Sequence, residues 1–246
     1  MGNLNNPIRK LLTYVYWQTS NFLIRNSLFS EIKASLSSGT DKKVISFSLY
    51  GNDKRYFDNL ELCIKSYNDI FPDWIVRIYI ASDLPDKVMN MLHSYHCETI
   101  TMKGTGIDFR YMYWRFLPLD DENASHVMIR DIDSLASIRE KRMVELWLKS
   151  DKNLHIIRDH ELHCFKIMGG IWGMKRHKPY YGIKNKMLKY NMQNRYGSDL
   201  YFLETIYKQH LGDMLVNDVL HRYQNELPII IPSEDHFYIG QINVQS

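Results

Sequence analysis

From Val44 onward, short apolar runs alternate with stretches whose apolar residues recur at helical spacing, and few folds accommodate that alternation. Residues 44–50 read as a strand that ends in the turn Gly51-Asn52-Asp53. Leu60, Cys63, Ile64, Tyr67 and Phe71 then share one face of a helix over residues 56–70, which Pro72-Asp73 breaks. A second strand at 75–81 is followed by Asp83-Leu84-Pro85 and a helix bearing Val88, Met91, Leu92 and Tyr95. Residues 99–102 give a short third strand. Further strands are predicted at 127–130, 154–158 and 229–231, and further helices at 139–149 and 198–209. Strands interleaved with helices form βαβ units, so the sequence predicts an α/β fold, a mostly parallel sheet with helices on both faces. At 246 residues the chain is long enough to bury a substantial core. Its 45% apolar and 24% charged residues are the balance of a globular protein.

Ahead of that pattern, residues 8–36 are rich in apolar side chains, among them Leu11, Val15, Trp17, Phe22, Leu28 and Phe29, and read as helical. Gln18, Thr19, Ser20, Asn21 and Arg25 interrupt them, so no run reaches the roughly 20 apolar residues of a membrane span. No small-residue cleavage site follows a clean apolar stretch, which argues against a signal peptide. Two roles stay open for this segment. It packs on its own domain or on a second copy of the chain (dimerisation), or it makes peripheral membrane contact through Arg9, Lys10, Arg25 and Lys33. Residues 35–43 read as a Ser- and Gly-containing linker. The chain thus divides into an N-terminal helical accessory segment, 1–38, and a main domain, 44–246. Cys63, Cys97 and Cys164 are few and far apart, the usage of a reduced, cytoplasmic chain, peripheral at an inner membrane face if the segment binds lipid. A net charge of +3 without any basic run argues against a nucleic-acid partner.

Two carboxylates, Asp131 and Asp133, follow the strand at 127–130. In open α/β sheets ligands bind beyond the carboxyl ends of the strands. On a continuing strand Asp-x-Asp points both side chains to one side, and hard oxygen ligands at that spacing suit Mg2+ or Mn2+. The alternative is a cap, with Asp133 or Ser134 starting the next helix. Arg110 and Arg115 offer paired donors that fit phosphate oxygens, or else pair with Asp120 and Asp121. Asp199 stands at a helix start in Tyr196-Gly197-Ser198-Asp199, as a cap or as a reacting group. Asp159 and His160 end a strand, where Asp159 suits hydroxyl binding or general-base work. His155, His160 and His163 do not make a zinc site, because 155 and 160 on a strand face opposite ways.

Six short motifs stand in order within residues 109–173. They are Trp114-Arg115-Phe116, Arg130-Asp131-Ile132-Asp133-Ser134, Arg139-Glu140, Trp147-Leu148-Lys149-Ser150, Arg158-Asp159-His160 and Gly169-Gly170-Ile171-Trp172-Gly173. This run resembles a family of GT-A-like glycosyltransferases of bacterial and viral sugar-assembly systems, over roughly residues 44–240. The resemblance implies a GT-A-like, Rossmann-like sheet. It also implies metal-dependent transfer of a sugar from a nucleotide-diphosphate donor to a hydroxyl of a glycan or lipid-linked acceptor, with Mn2+ or Mg2+ as cofactor. Asp131 and Asp133 would then hold the metal, and Asp199 and Asp159 would be the catalytic carboxylates. Tyr50, Gly51, Arg110, Arg115, His160, Gly169, Gly170 and Trp172 would contact substrate. The chain departs from the family pattern at Leu135, where the family has Arg, and at Asp199-Leu200, where it has Asp-Gln. A third departure, Asn217-Asp218 for His-Asp, leaves the additional metal ligand open among Asp218, Asn217 and His221. Two alternatives are an inactive glycosyltransferase-like binding module and a metal-dependent phosphohydrolase or nucleotidyltransferase. Tyr50-Gly51-Asn52-Asp53 lacks the Gly-x-Gly-rich phosphate loop that a sugar nucleotidyltransferase needs.

Overall fold

A computed structural model describes residues 25–176, 182–223, 225–232 and 237–241. Eight strands form one sheet: β1 (Glu31–Ser35), β2 (Lys42–Leu49), β3 (Ile75–Ala81), β4 (Cys97–Met102), β5 (Ala124–Arg130), β6 (Leu154–Arg158), β7 (Ile171–Lys175) and β8 (Met214–Asp218). Their order across the sheet is β1-β4-β3-β2-β5-β7-β6-β8. Neighbours from β4 through β5 are parallel, as are β6 and β8. β1 is antiparallel to β4, and β7 is antiparallel to both β5 and β6. That single reversal leaves β6 and β8 running the same way as β5. β2 and β3 are buried almost end to end, as parallel strands covered on both faces must be.

The helices that cover the sheet are α1 (Lys54–Asp58), α2 (Leu60–Ile70), α3 (Asp86–Ser94), α4 (Ile138–Lys149), α5 (Ile183–Lys189) and α6 (Ser198–Gln209). The helix expected over 56–70 is two, divided at Asn59, whose side-chain amide donates to the Arg55 carbonyl at 3.2 Å. Residues Phe109–Asp120, which hold the Trp114-Arg115-Phe116 motif, form a 3-10 segment that carries Pro118. Tyr111, Tyr113, Trp114 and Phe116 of this segment are all buried. Tertiary packing of so many large rings sustains a 3-10 run longer than its weak hydrogen bonds alone would support.

Two expectations change. The apolar run at 229–231 is not a strand: Pro228 and Pro232 bracket it, and proline cannot donate to a ladder. Ile229 makes one ladder-like bond, its N–H to the Val216 carbonyl at 2.8 Å, so it lies along β8, which like β1 and β7 was not predicted. The second change concerns residues 25–35 of the predicted accessory segment. Leu28 and Phe29 are buried in the main core, and the Trp114 indole N–H donates to the Leu28 carbonyl at 2.6 Å. Glu31–Ser35 is an edge strand of the sheet, so the boundary at 38 does not separate these residues from the body. The remaining part of that segment, 1–24, lies outside the described residues. Among the described residues no helix is long and apolar enough to cross a membrane.

Candidate active site

The C-terminal ends of β2, β5 and β6 and the start of β7 meet along one edge of the sheet, and a cavity of about 290 Å³ opens there. β5 is locked in place by Arg130, whose guanidinium is fully buried against Glu140 of α4 at 2.6 Å and donates to the Trp172 carbonyl of β7 at 2.8 Å. The chain leaves β5 at Arg130 and turns at once, the Ser134 amide donating to the Asp131 carbonyl at 3.2 Å. Asp131 and Asp133 therefore sit in a turn, not on a continuing strand, so the turn and not strand alternation brings both to the cavity wall. Neither caps the following helix. Ser137 does, accepting the Glu140 N–H at 3.1 Å.

Arg115 reaches the same cavity from the 3-10 segment, fixed to β2 by its backbone N–H on the Ser48 hydroxyl at 3.0 Å. Its two terminal nitrogens bridge two acids: Nη1 pairs with Asp131, and Nη2 donates to Asp199 Oδ2 at 2.8 Å. Asp199 lies in the first turn of α6, whose N-cap is Gly197 at φ 74°, a left-handed conformation that suits glycine. The N-cap position is therefore Gly197 and not Asp199. Burial raises the Asp199 carboxyl above its ordinary range, against the pull of Arg115. Asp133 is pushed up to about 6, first by burial and then by the charge of Asp131.

The glycine pair before β7 closes one side. A Cβ at Gly169 would fall 2.6 Å from Asp199 Oδ2 and 2.8 Å from Arg115 Nη2, and one at Gly170 would overlap the Asp131 carboxylate. The pair thus lets backbone press against the Asp131–Arg115–Asp199 bridge. Two crowded carboxylates with hard oxygens, one of them costly to ionise, fit a divalent cation. Among the described residues no third His, Cys, Asp or Glu joins them in a metal-sized cluster.

No protein-family model and no curated protein matches the sequence. Solved structures do match in shape. A mannosyltransferase from Pyrobaculum calidifontis, in complex with GDP-Man and Mn2+, superposes with a TM-score of 0.50 at 10% identity over 85% of this chain and 62% of its own. Glucosyl-3-phosphoglycerate synthase from Mycobacterium tuberculosis, in complex with phosphoglyceric acid, gives 0.50 at 9% identity over 74% and 70%. The fold is GT-A-like. The chain spans under two thirds of the mannosyltransferase's length, and at this identity the likeness concerns the fold alone.

Within this GT-A-like frame the structure brings together Tyr50, Arg115, Asp131, Asp133, Gly169, Gly170 and Asp199. It leaves the other predicted site residues off the cavity wall. Arg110 pairs with Asp108 at 2.6 Å, not with Asp120 or Asp121. Gly51, at φ 79°, serves the turn after β2 and packs on Ile107. Trp172 is fully buried, edge-on to Phe116, so it is a core residue and no platform for a sugar. Asp159 is sealed between Arg139 and the Ile239 amide at 3.0 Å, which removes the general-base role expected of it. His160 stacks on Tyr238 at 3.9 Å and supports the wall from behind. Asp218 pairs with Arg158 at 2.9 Å. Its Oδ2 also accepts the Arg222 amide and its Oδ1 the Leu220 amide, so both oxygens are occupied away from the cavity and it does not join Asp131 and Asp133 as a metal ligand. Asn217 is bonded to His155 at 2.9 Å, and His221 is exposed at φ 46°.

Sequence reasoning missed Tyr56, Leu162, His163, Met168, Tyr196 and Tyr238 on the cavity wall. Tyr196 is 75% exposed at the rim, and exposure of so large a ring has no sequence signature. Its place in the turn before Asp199 was the one available signal.

Proposed function

We propose that the chain is a metal-dependent glycosyltransferase that moves a sugar from a nucleotide-diphosphate donor to a hydroxyl of a glycan or lipid-linked acceptor. One observation carries it: a GT-A-like sheet delivers Asp131, Asp133, Arg115 and Asp199 to one cavity at the carboxyl edge of its strands. Asp131 and Asp133 hold Mn2+ or Mg2+, and the bound ion supplies neutralising charge for the departing diphosphate. Arg115 offers guanidinium donors to the same anion. Tyr50 lies edge-on to Tyr111 at 5.6 Å, held by that packing as a rigid wall for the nucleoside end of the donor. Asp199, on the wall of the same cavity, is the carboxylate nearest the sugar, and Tyr196 and Leu162 at the rim face the acceptor.

The test is thermal shift with Mn2+ and a panel of UDP- and GDP-sugars, followed by donor hydrolysis. A donor present at 100 times its Kd stabilises the fold by about 2.7 kcal/mol. Asp133→Asn keeps the fold but loses the Mn2+-dependent part of that shift. If no nucleotide sugar shifts the wild type with Mn2+, or if Asp133→Asn responds as the wild type does, this function is wrong.

A further inference from the structure

The fork of Arg115 holds Asp131 and Asp199 at once, and Asp131 is a carboxylate that the function above assigns to a divalent cation. We propose that Arg115 is a built-in competitor for the cation at Asp131, and that cation binding hands its guanidinium over to the donor's diphosphate. This rests on the metal reading above.

The geometry restricts what the guanidinium can do. It is buried, with the Phe116 ring 5.7 Å away on one side and the Gly169-Gly170 backbone against the bridge on another. Asp199 is almost wholly buried and has Arg115 as its ion-pair partner, so Nη2 stays where it is. Asp131 is different. Its side chain keeps 45% of its exposure and faces the cavity, so it can change partners without leaving water for protein. Nε of Arg115 is buried and has no hydrogen-bond partner in the structure. When Asp131 turns to a cation, Nη1 is released on the cavity side, and its N–H donors become free for an anion. A cation and a diphosphate then help each other through one side chain. The cation removes the acid that occupies Arg115, and the anion removes the base that occupies Asp131. By linkage each raises the affinity of the other by the same factor.

A bridge that competes has a signature that a merely supportive arginine lacks: its removal strengthens metal binding. The experiment is titration of the full chain with Mn2+ alone, without nucleotide, reading free Mn2+ by electron paramagnetic resonance. Arg115→Gln is expected to bind Mn2+ about 5-fold or more tightly than wild type, the lower end of ordinary coupling between sites. Removing any nearby positive charge also favours a cation, so Arg55→Gln is the control. Arg55 is exposed, it pairs with Asp53, and its field reaches Asp133 without contact at the bridge. It is expected to change Mn2+ affinity far less than Arg115→Gln. Should Arg115→Gln fail to fold with Asp199 left unpaired, Asp199→Asn is compared with the double variant Arg115→Met/Asp199→Asn. The double variant is then expected to bind Mn2+ about 5-fold more tightly than the single one. Equal or weaker Mn2+ binding on loss of Arg115, or an equal gain from Arg55→Gln, overturns the competition while leaving the metal site intact. If wild type and variants alike bind no Mn2+, the metal reading falls and this proposal with it.

Discussion

Asp159 and Asp199 are both buried acids at the ends of regular elements, and their partners separate them. Asp159 is enclosed by Arg139 and the Ile239 amide, and Arg139 in turn donates to the Ile231 carbonyl at 3.1 Å, so this pair tacks the C-terminal stretch onto the body. Asp199 pairs with Arg115 and opens on the cavity. Asp199→Asn keeps an oxygen for Arg115, and Asp131 remains as that arginine's charged partner, so no buried charge is stranded. The expected outcome is a turnover about 10²-fold lower, the scale of a lost acid–base group, with a melting temperature close to wild type. Measuring kcat and Tm on the same preparation decides it, and an unchanged kcat would exclude Asp199 from the reaction centre. The sequence pointed to Asp131, Asp133 and Asp199 because they stand just past a strand end or at a helix start, and to Arg115, inside its 3-10 segment, through its motif. It misplaced Arg110, Asp159 and Asp218 because a motif fixes position along the chain but not direction. Each of these charges found a nearer opposite charge, in Asp108, Arg139 and Arg158.

At the scale of elements, strands with dense Val and Ile were readable, whereas β1, β7 and β8 were not. β8, Met214–Asp218, ends in Asn-Asp and gives no alternation to detect, and β7 begins among glycines. What fixes β8 in place is a side-chain link invisible along the chain. His155 of β6 stacks on Trp147 at 5.2 Å, and its Nε2 lies 2.9 Å from Asn217 Oδ1. The Asn217 amide nitrogen donates to the Ile229 carbonyl at 2.8 Å, so Oδ1 accepts and His155 is assigned the neutral tautomer with its proton on Nε2. Burial lowers His155 to about 3 from an ordinary value of 6.5. The folded pKa is depressed, so the stabilising contribution is complete above 6.5 and is lost as pH falls toward 3. Between pH 6.5 and 5 this one group costs roughly 2 kcal/mol, at about 1.4 kcal/mol per pH unit. Urea unfolding at several pH values should show that slope in wild type and a shallower one in His155→Gln. Parallel slopes would mean that His155 titrates normally.

For the whole molecule, the sheet was legible as α/β and mostly parallel, but its N-terminal margin was not. The apolar residues before 36 suggested a separate helix, whereas Leu28, Phe29 and β1 complete the core and the sheet edge. β1 is exposed along its length and hides its membership behind a polar sequence, Glu-Ile-Lys-Ala-Ser. Deleting residues 1–35 would uncover β4 as an open edge and strip two buried apolar side chains, each worth about 1.5–3 kcal/mol. The expected result is a loss of roughly 3 kcal/mol or more, with a tendency to aggregate, read by urea unfolding and light scattering. Full stability in the truncated chain would restore the idea of an independent segment.

The reversal of β7 has a further consequence at this scale. Because one antiparallel strand lies between β5 and β6, every strand end that carries a reactive group arrives at the same rim. The opposite rim is joined up by local bonds, Asn153 to Asp213 at 2.6 Å, Lys175 N–H to the Asn153 carbonyl at 2.9 Å and Lys42 N–H to the Asn123 carbonyl at 2.7 Å. It is a stiff base with open points: Asp151 is 84% exposed, and space around Gly212 is clear. Once the native Cys97 and Cys164 are replaced by serine, a cysteine placed at 151 and coupled to a bead or sensor chip would therefore hold the protein by its base and leave the cavity facing solution.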